Sequence, residues 1–525
     1  MKIFTPPAGI IKTDALIPFK TNKTVLLIIV LLSYTFSFAQ TDPDSTKTSS
    51  GIGIKGILLD SKQKTALPYA NILFLHKNAG IVTNEKGHFL INSTKLNEND
   101  TISFQYIGYE TKKLTLKQLD SSAVVYLNEK INNLNEIFVF SKDIDARSVV
   151  KKVLENKGEN YKSLYVKNQT FVRNRSVSDI NRINFQFKKS SLAELDKEKI
   201  KMLERKIPRH SVSFTDFLGN LYLSKNKVDS LRLKIDPVKQ VSLKDKNLAD
   251  MEQMESFFEK LLTDVEKNEY WKIKSGILGA KIETGSDIDK SERDSLKLRN
   301  EVKYKTKYYR NTLQYMFDYS SFKNKEDWDF LYHTNRYEYT LVGGTEVNGE
   351  DVYIIDFVPK SSGKFKGRVF ITLKSFALIR ADYEYAEGKA GKNISMFGVG
   401  FKMNEFQGSI SFEKRFDSYQ LKYCSKKEGT QVTIDRNLSL IKKRKRFLID
   451  KKLHEVKVKF NISVSGEDSF EMLVLDQKII SEKQFNDFRQ KEYMKTVYVD
   501  QFDDALWKGY SIIEPTKQMR EYKKE

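Results

Sequence analysis

Five histidines, one cysteine and a few close carboxylate pairs are the residues of this 525-residue chain with the most obvious chemical potential. His76, His88, His210, His333 and His454 lie more than ten residues apart, and none begins an H-x-x-E or H-E-x-x-H arrangement. A catalytic zinc site needs three convergent ligands and an open position for water, so this spacing argues against a zinc peptidase. His454 and Glu455 adjoin on an expected strand, where alternate side chains point to opposite faces. G-x-S-x-G and G-x-x-x-x-G-K-[ST] are both absent, and Gly398-x-Gly400 lacks the third glycine of a dinucleotide loop, so a strand bulge is expected there. Asp503 with Asp504, and Asp356 with Asp382, have the chemistry for acid–base work, but they are only four of 69 acidic residues. Cys424 lies in the strand-like run YQLKYC and reads as a buried small hydrophobe. A second cysteine does not exist, so no intramolecular disulfide can form.

Charge gives one further candidate. The formal net charge is +21, and residues 1–39 carry four lysines and one aspartate, so the chain after Ala39 keeps +18. Lys442, Lys443, Arg444, Lys445 and Arg446 form the densest cluster, closely followed by Lys451 and Lys452. Anionic lipid headgroups or acidic glycans suit it as partners; a solvated hairpin end is the competing reading. Elsewhere bases and acids interleave, and no nucleic-acid partner is expected.

The elements that must position these residues begin with an export signal. Lys12, Lys20 and Lys23 precede the apolar run Val25–Leu32, and Ser37 and Ala39 occupy the −3 and −1 positions of a signal-peptidase site. The apolar run is shorter than the ~20 residues needed to span a bilayer. Residues 1–39 are therefore expected to be a signal peptide, with an uncleaved anchor as the competing reading. Residues 40–52 read as a flexible leader, and no lipidation cysteine lies nearby. The mature chain is expected to have no transmembrane span and to be periplasmic or outer-membrane associated.

With 34 Phe and 26 Tyr against 9 Pro, the composition leans toward strands. Residues 53–130 carry short apolar runs between turn residues: Ile54–Leu59, Tyr69–Leu75, Ile81–Thr83, Phe89–Ile91, Thr101–Ile107 and Ala123–Leu127. A seven-stranded β-sandwich is expected. Residues 131–300 are expected to be a linker and a mainly helical region. Its apolar stripes are Ala146, Val149, Val150, Val153, Leu154 and then Met251, Met254, Phe257, Phe258, Leu261, Leu262. Residues 301–525 return to strand patterning, with a tight Asn348-Gly349 hairpin turn, a second hairpin over GKFKGRVFITLKSFALIRADYEY, and a C-terminal helix and tail. The fold class is thus mainly β, α+β overall, with a half-barrel-like antiparallel meander after the helical segment.

Gly56 and Asp60 in KGILLD, the run LPYANI from Leu67, Gly80, Thr83, Gly87, Phe89 and Ile107-Gly108-Tyr109 together resemble the carboxypeptidase regulatory-like domain. This is a prealbumin-type sandwich found at the front of Bacteroidetes envelope proteins. The resemblance implies an interaction or positioning module without catalysis. Asn84 departs from the family's usual Asp, and Asn makes the same Asx-type turn. LNEKINNLNEIFVF followed by DARSVVKKVLENKGENY resembles exported proteins of that group in which an uncharacterised domain follows; larger members continue into an outer-membrane barrel. A barrel is not expected here, given the length and the charged end REYKKE. VYIIDFVPK and FKGRVFITLKSFALIRADY resemble the half-barrel of lipoprotein carriers.

The leading expectation is a non-catalytic cell-envelope protein with an interaction or scaffolding role, acting on an unknown envelope partner. The alternative is a carrier or chaperone for an acyl-bearing ligand; a cryptic hydrolase is third. No cofactor, metal or catalytic residue is assigned.

Overall fold

The computed structural model describes residues 52–75, 79–93, 96–119, 122–130, 145–225, 230–243, 257–258, 260–276, 278–282 and 303–522. The expected signal peptide, nearly all of the leader, His76, Met251 and Met254 lie outside the described residues. The protein is mainly β, and the front module is a sandwich of two sheets. In one, β1 (Ile52–Asp60) pairs antiparallel with β4 (His88–Ser93) and parallel with β7 (Ser122–Leu127). The other runs β3 (Ala79–Val82), β2 (Asn71–Phe74), β5 (Thr101–Gln105), β6 (Lys112–Thr115), all antiparallel. β6 follows no apolar run and is recruited by pairing with β5. Leu58, Ile72, Phe89, Ile91, Ile102 and Phe104 fill the space between the sheets. A Cβ on Gly56 would sit 2.3 Å from the Phe89 ring and 2.6 Å from the Ala123 carbonyl, so only glycine fits there.

The body is one large antiparallel sheet. In spatial order its main path is β14 (Tyr337–Val347), β15 (Glu350–Pro359), β16 (Phe365–Thr372), β17 (Leu378–Tyr385), β19 (Val399–Arg415), β20 (Ser418–Arg444), β21 (Lys451–Ile479), β8 (Val166–Ser190), β9 (His210–Lys225), β10 (Leu231–Leu243) and β23 (Val497–Val499), the last pair being parallel. β11 (Glu269–Ser275) and β12 (Leu278–Ile282) add to the end of β20, β18 (Asn393–Met396) pairs with β19, and β13 (Lys303–Lys305) pairs with β22 (Tyr493–Lys495). The partly barrel-like sheet matches the expected meander.

The expectation of a mainly helical 131–300 region is wrong for most of its described residues. α1 (Ala146–Glu155) and α2 (Lys197–Lys206) form as expected, but β8–β10 dominate. Residues 269–275, inside the region expected to be mainly helical, form β11 because Trp271, Ile273 and Ser275 are buried at every second position. The reverse error falls at α3 (Thr306–Ser320), which lies inside the region expected to be strand. There Leu313, Met316, Phe317 and Ser320 are buried at helical spacing. With α1 and the short α4 (Asp329–Tyr332), α3 covers one face of the sheet through an aromatic cluster around Trp328, Phe330, Phe357, Tyr383 and Phe406. Phe257, Phe258 and Leu261 pack in a separate core, as a core-facing stripe should.

Three hairpins turn on two residues with positive φ. Asn348-Gly349 is the expected one; Phe397-Gly398 and Phe416-Asp417 are the others. Gly398 therefore marks a tight turn between β18 and β19, a correction to the expected bulge.

Candidate functional site

The sandwich sits on the face of the sheet opposite α3. Arg380, 4% exposed, is the central peg. Its guanidinium donates to the carbonyls of Pro68 (3.3 Å) and Tyr69 (3.4 Å) and to the Tyr106 hydroxyl (3.2 Å), lies 4.6 Å over the Tyr106 ring, and is held by Asp382 at 2.6 Å. Tyr69 stacks on Tyr423 of β20 at 4.7 Å. Tyr69 adopts φ +57°, a conformation that costs a bulky residue roughly 1–2 kcal/mol. The Thr83 hydroxyl braces this turn by donating to the Leu67 carbonyl and accepting from Ala70 N–H. Asn84 makes the expected Asx turn, accepting from Lys86 and His88 N–H, and its amide donates to the Glu514 carbonyl of the C-terminal tail. An Asp could not make that last bond.

Between the sandwich and the sheet lies a cleft of about 980 Å³. Its roof is made by the runs that carry the family resemblance, Leu67–Tyr69 and Tyr106–Tyr109. Its floor is a row of polar residues at right angles to the strands. Register places Asp356 (β15) beside Arg368 (β16), then Asp382 (β17), Ser409 (β19), Ser425 (β20), Glu471 (β21), Arg173 (β8) and Asp216 (β9). Every one except Asp216 lines the cleft. Eight strands at ~4.8 Å spacing make the row about 34 Å long.

The row is internally bonded. Arg368 pairs with Asp356 through two bonds of 2.6 and 2.9 Å, and Ser409 donates to Asp382 at 2.6 Å. Arg173 and Asp216, both buried, form a two-bond pair of 2.8 and 2.7 Å, and the same guanidinium donates to the Ile513 carbonyl, fastening the tail to the sheet. Glu471 accepts from the Tyr423 hydroxyl at 3.2 Å. Removal from water pushes its carboxyl up to about 7, and Glu85 adds to the rise, although Arg173 opposes it.

The sequence-derived candidates scatter by comparison. Asp356 and Asp382 do meet in the row, each paired to an arginine. Asp503 caps a short turn, while Asp504 bonds Lys55 of the sandwich and Arg520. Glu455 pairs with Lys189 and Lys452, next to His454 at an exposed end of β21. His333 bonds Asp329 and His210 bonds Asp179, on separate parts of the body. Cys424 is buried among apolar neighbours, which push its thiol up. Among the described residues, no group of three or more His, Cys, Asp or Glu is placed to hold a metal ion. No described helix is long and apolar enough to cross a membrane. The basic cluster lies at the far end of β20, and there Lys442 and Arg444 both pair with Glu269. The six members of the row other than Asp356 and Asp382 have no sequence signal: each is one polar residue in its own strand, and only register aligns them.

Residues 54–139 match the family model of the CarboxypepD_reg-like domain. The front module is a carboxypeptidase regulatory-like domain. This regulatory-like domain accounts for the roof of the cleft; no curated protein matches the chain. Among solved structures, the chain is similar to the LolA superfamily protein NE2245 of Nitrosomonas europaea, at 8% identity over 65% of this chain and 98% of that one, TM-score 0.15. It is also similar to Pseudomonas aeruginosa MucA/MucB (8% identity, 64% and 100% coverage, TM-score 0.17) and to a DUF1329 family protein of Desulfovibrio piger (12%, 65% and 96%, TM-score 0.15). At such TM-scores the likeness carries nothing about ligand or activity.

Proposed function

We propose that the protein is a non-catalytic binding protein of the cell envelope that holds an extended polar segment of a partner polypeptide in the cleft beneath the sandwich. The observation that carries this reading is the transverse row. A floor with Asp356, Asp382 and Glu471 beside Arg368 and Arg173 sets carboxylates and guanidinium groups side by side, which suits a peptide with polar groups of both kinds and disfavours a polyanion. The cleft, at about 980 Å³, lies at the upper end of the usual range of ~300–1,000 Å³ for ligand pockets. An acyl carrier is the second reading. It is favoured by a separate, mostly apolar cavity of about 140 Å³ beside Phe317, Phe322, Phe412 and Leu421, which would have to enlarge by movement of α3.

Native mass spectrometry of protein gently released from the envelope tests the proposal. A bound polypeptide that is lost from Arg368→Glu supports it. A bound lipid unaffected by that change supports the carrier instead, and turnover of peptides, esters or glycans at ordinary enzyme rates overturns the non-catalytic assignment.

A further inference from the structure

The β20–β21 hairpin extends well past its neighbours. β20 last pairs with β19 at Ile434 and β21 last pairs with β8 at Val456, yet the two strands remain paired out to Arg444 and Lys451. At ~3.3 Å per residue, the stretch from Ile434 to Arg444 carries the turn about 33 Å beyond β19. β11 pairs along this extension, and a satellite core containing Ile183, Ile200, Leu203, Val456 and Val458 braces its base.

At the apex, Phe447, Leu448 and Ile449 are 100%, 87% and 82% exposed. Single exposed apolar residues are ordinary, but three large ones in succession on a turn are not, unless something covers them. The apex has a fixed shape. Asp450 accepts bonds from the Arg446 N–H and the Tyr270 hydroxyl, and the Lys445 N–H donates to the Asn268 carbonyl at 2.8 Å. Cations flank the apolar residues on both sides. Lys442 and Arg444 are engaged by Glu269, and Lys443 and Lys445 act through space on Asp450, whose carboxyl the Tyr270 hydroxyl and these lysines hold low; among the described residues Lys443, Lys445, Arg446 and Lys451 make no ion pair of 4 Å or less.

We propose that this apex is a membrane-docking wedge for a leaflet containing anionic phospholipid. Phe447, Leu448 and Ile449 enter the acyl boundary while the flanking lysines and Arg446 meet headgroup phosphates. An apolar tip with a cationic collar matches the layering of such a surface, apolar inside and anionic at the rim. The proposal is independent of what the cleft binds. Ser425 and Glu471 of the cleft floor stand on the same two strands, so docking at the apex would set the cleft about 60 Å of strand away from the bilayer.

The test uses the full chain and vesicles of phosphatidylcholine with or without about a third phosphatidylglycerol. Co-sedimentation with the anionic vesicles is expected, falling roughly 100-fold in F447S/L448S/I449S and becoming weaker and less salt-dependent in K445Q/R446Q. Because Cys424 is buried, Leu448→Cys takes a polarity-sensitive fluorophore at one place, and a blue shift on binding reports insertion of the apex itself. Unchanged thermal melting of the serine variant confirms that its fold is intact. Failure of the wild-type chain to bind, equal binding to neutral vesicles, undiminished binding of the serine variant, or a label that stays in water would each overturn the proposal.

Discussion

Glu471 gives the sharpest check on the polar row. Folded, it keeps its proton up to about pH 7, whereas an ordinary glutamate releases it near 4.5. Between those values the native state binds more protons than the unfolded chain, so stability falls as pH rises through this window. A rise from 4.5 to about 7, at 1.36 kcal/mol per pH unit, corresponds to about 3 kcal/mol, fully lost only above pH 7. Glu471→Gln keeps an acceptor for the Tyr423 hydroxyl and cannot ionise. The variant is expected to match the wild type near pH 4.5 and to exceed it by up to about 3 kcal/mol at pH 8.5. Urea unfolding at a series of pH values measures this directly. Trp271, Trp328 and Trp507 are all buried in the body, so their emission reports unfolding of the large sheet. Parallel stability curves for the two proteins would refute the placement of Glu471 in a poorly solvated row.

Three further outcomes follow from the same geometry. Arg173→Ala strands the Asp216 carboxylate, 0% exposed, and frees Ile513, so a loss of about 3–5 kcal/mol is expected by chemical denaturation, with earlier proteolysis of the C-terminal tail. Asn84→Asp keeps the local turn but places an oxygen against the Glu514 carbonyl. Its expected cost is about 1–3 kcal/mol, seen as faster hydrogen exchange on both sides of the sandwich–tail contact while β1–β7 stay protected. Gly56→Ala drives a methyl into the Phe89 ring, and overpacking of about 1–3 kcal/mol is expected in thermal melts of the sandwich.

The sandwich was legible because its constraints are local. LPYANI, the Asn84–Gly87 turn and Gly56 each act on neighbours in the module, so their order along the chain carries the fold. The Asn348-Gly349 turn was legible for the same reason, while Phe397-Gly398 and Phe416-Asp417 reach the same backbone shape with a first residue that gives no such signal. α3 was misread because tyrosine and phenylalanine favour strands in general, yet here they sit on a helix whose buried stripe meets Trp328 and Phe330. β8 is hidden because one of its partners, β21, lies over 200 residues later, and β9 joins the sheet through β8.

Distance along the chain also explains why the candidate site had no sequence signature. A catalytic motif fixes residue types at fixed spacing; the row fixes one residue in each of eight strands, with spacings set by hairpin lengths and bulges. Asp356, Arg368 and Asp382 are twelve and fourteen residues apart for no chemical reason beyond the length of two hairpins. A register slip of one residue would turn each member toward the aromatic face under α3. There each carboxylate or guanidinium that pairs across strands would be a buried charge without its partner, at a cost of several kcal/mol per site. The cross-strand pairings Arg368–Asp356 and Arg173–Asp216 therefore do two things at once. They shape a floor for a ligand, and they penalise every register in which that floor is not assembled.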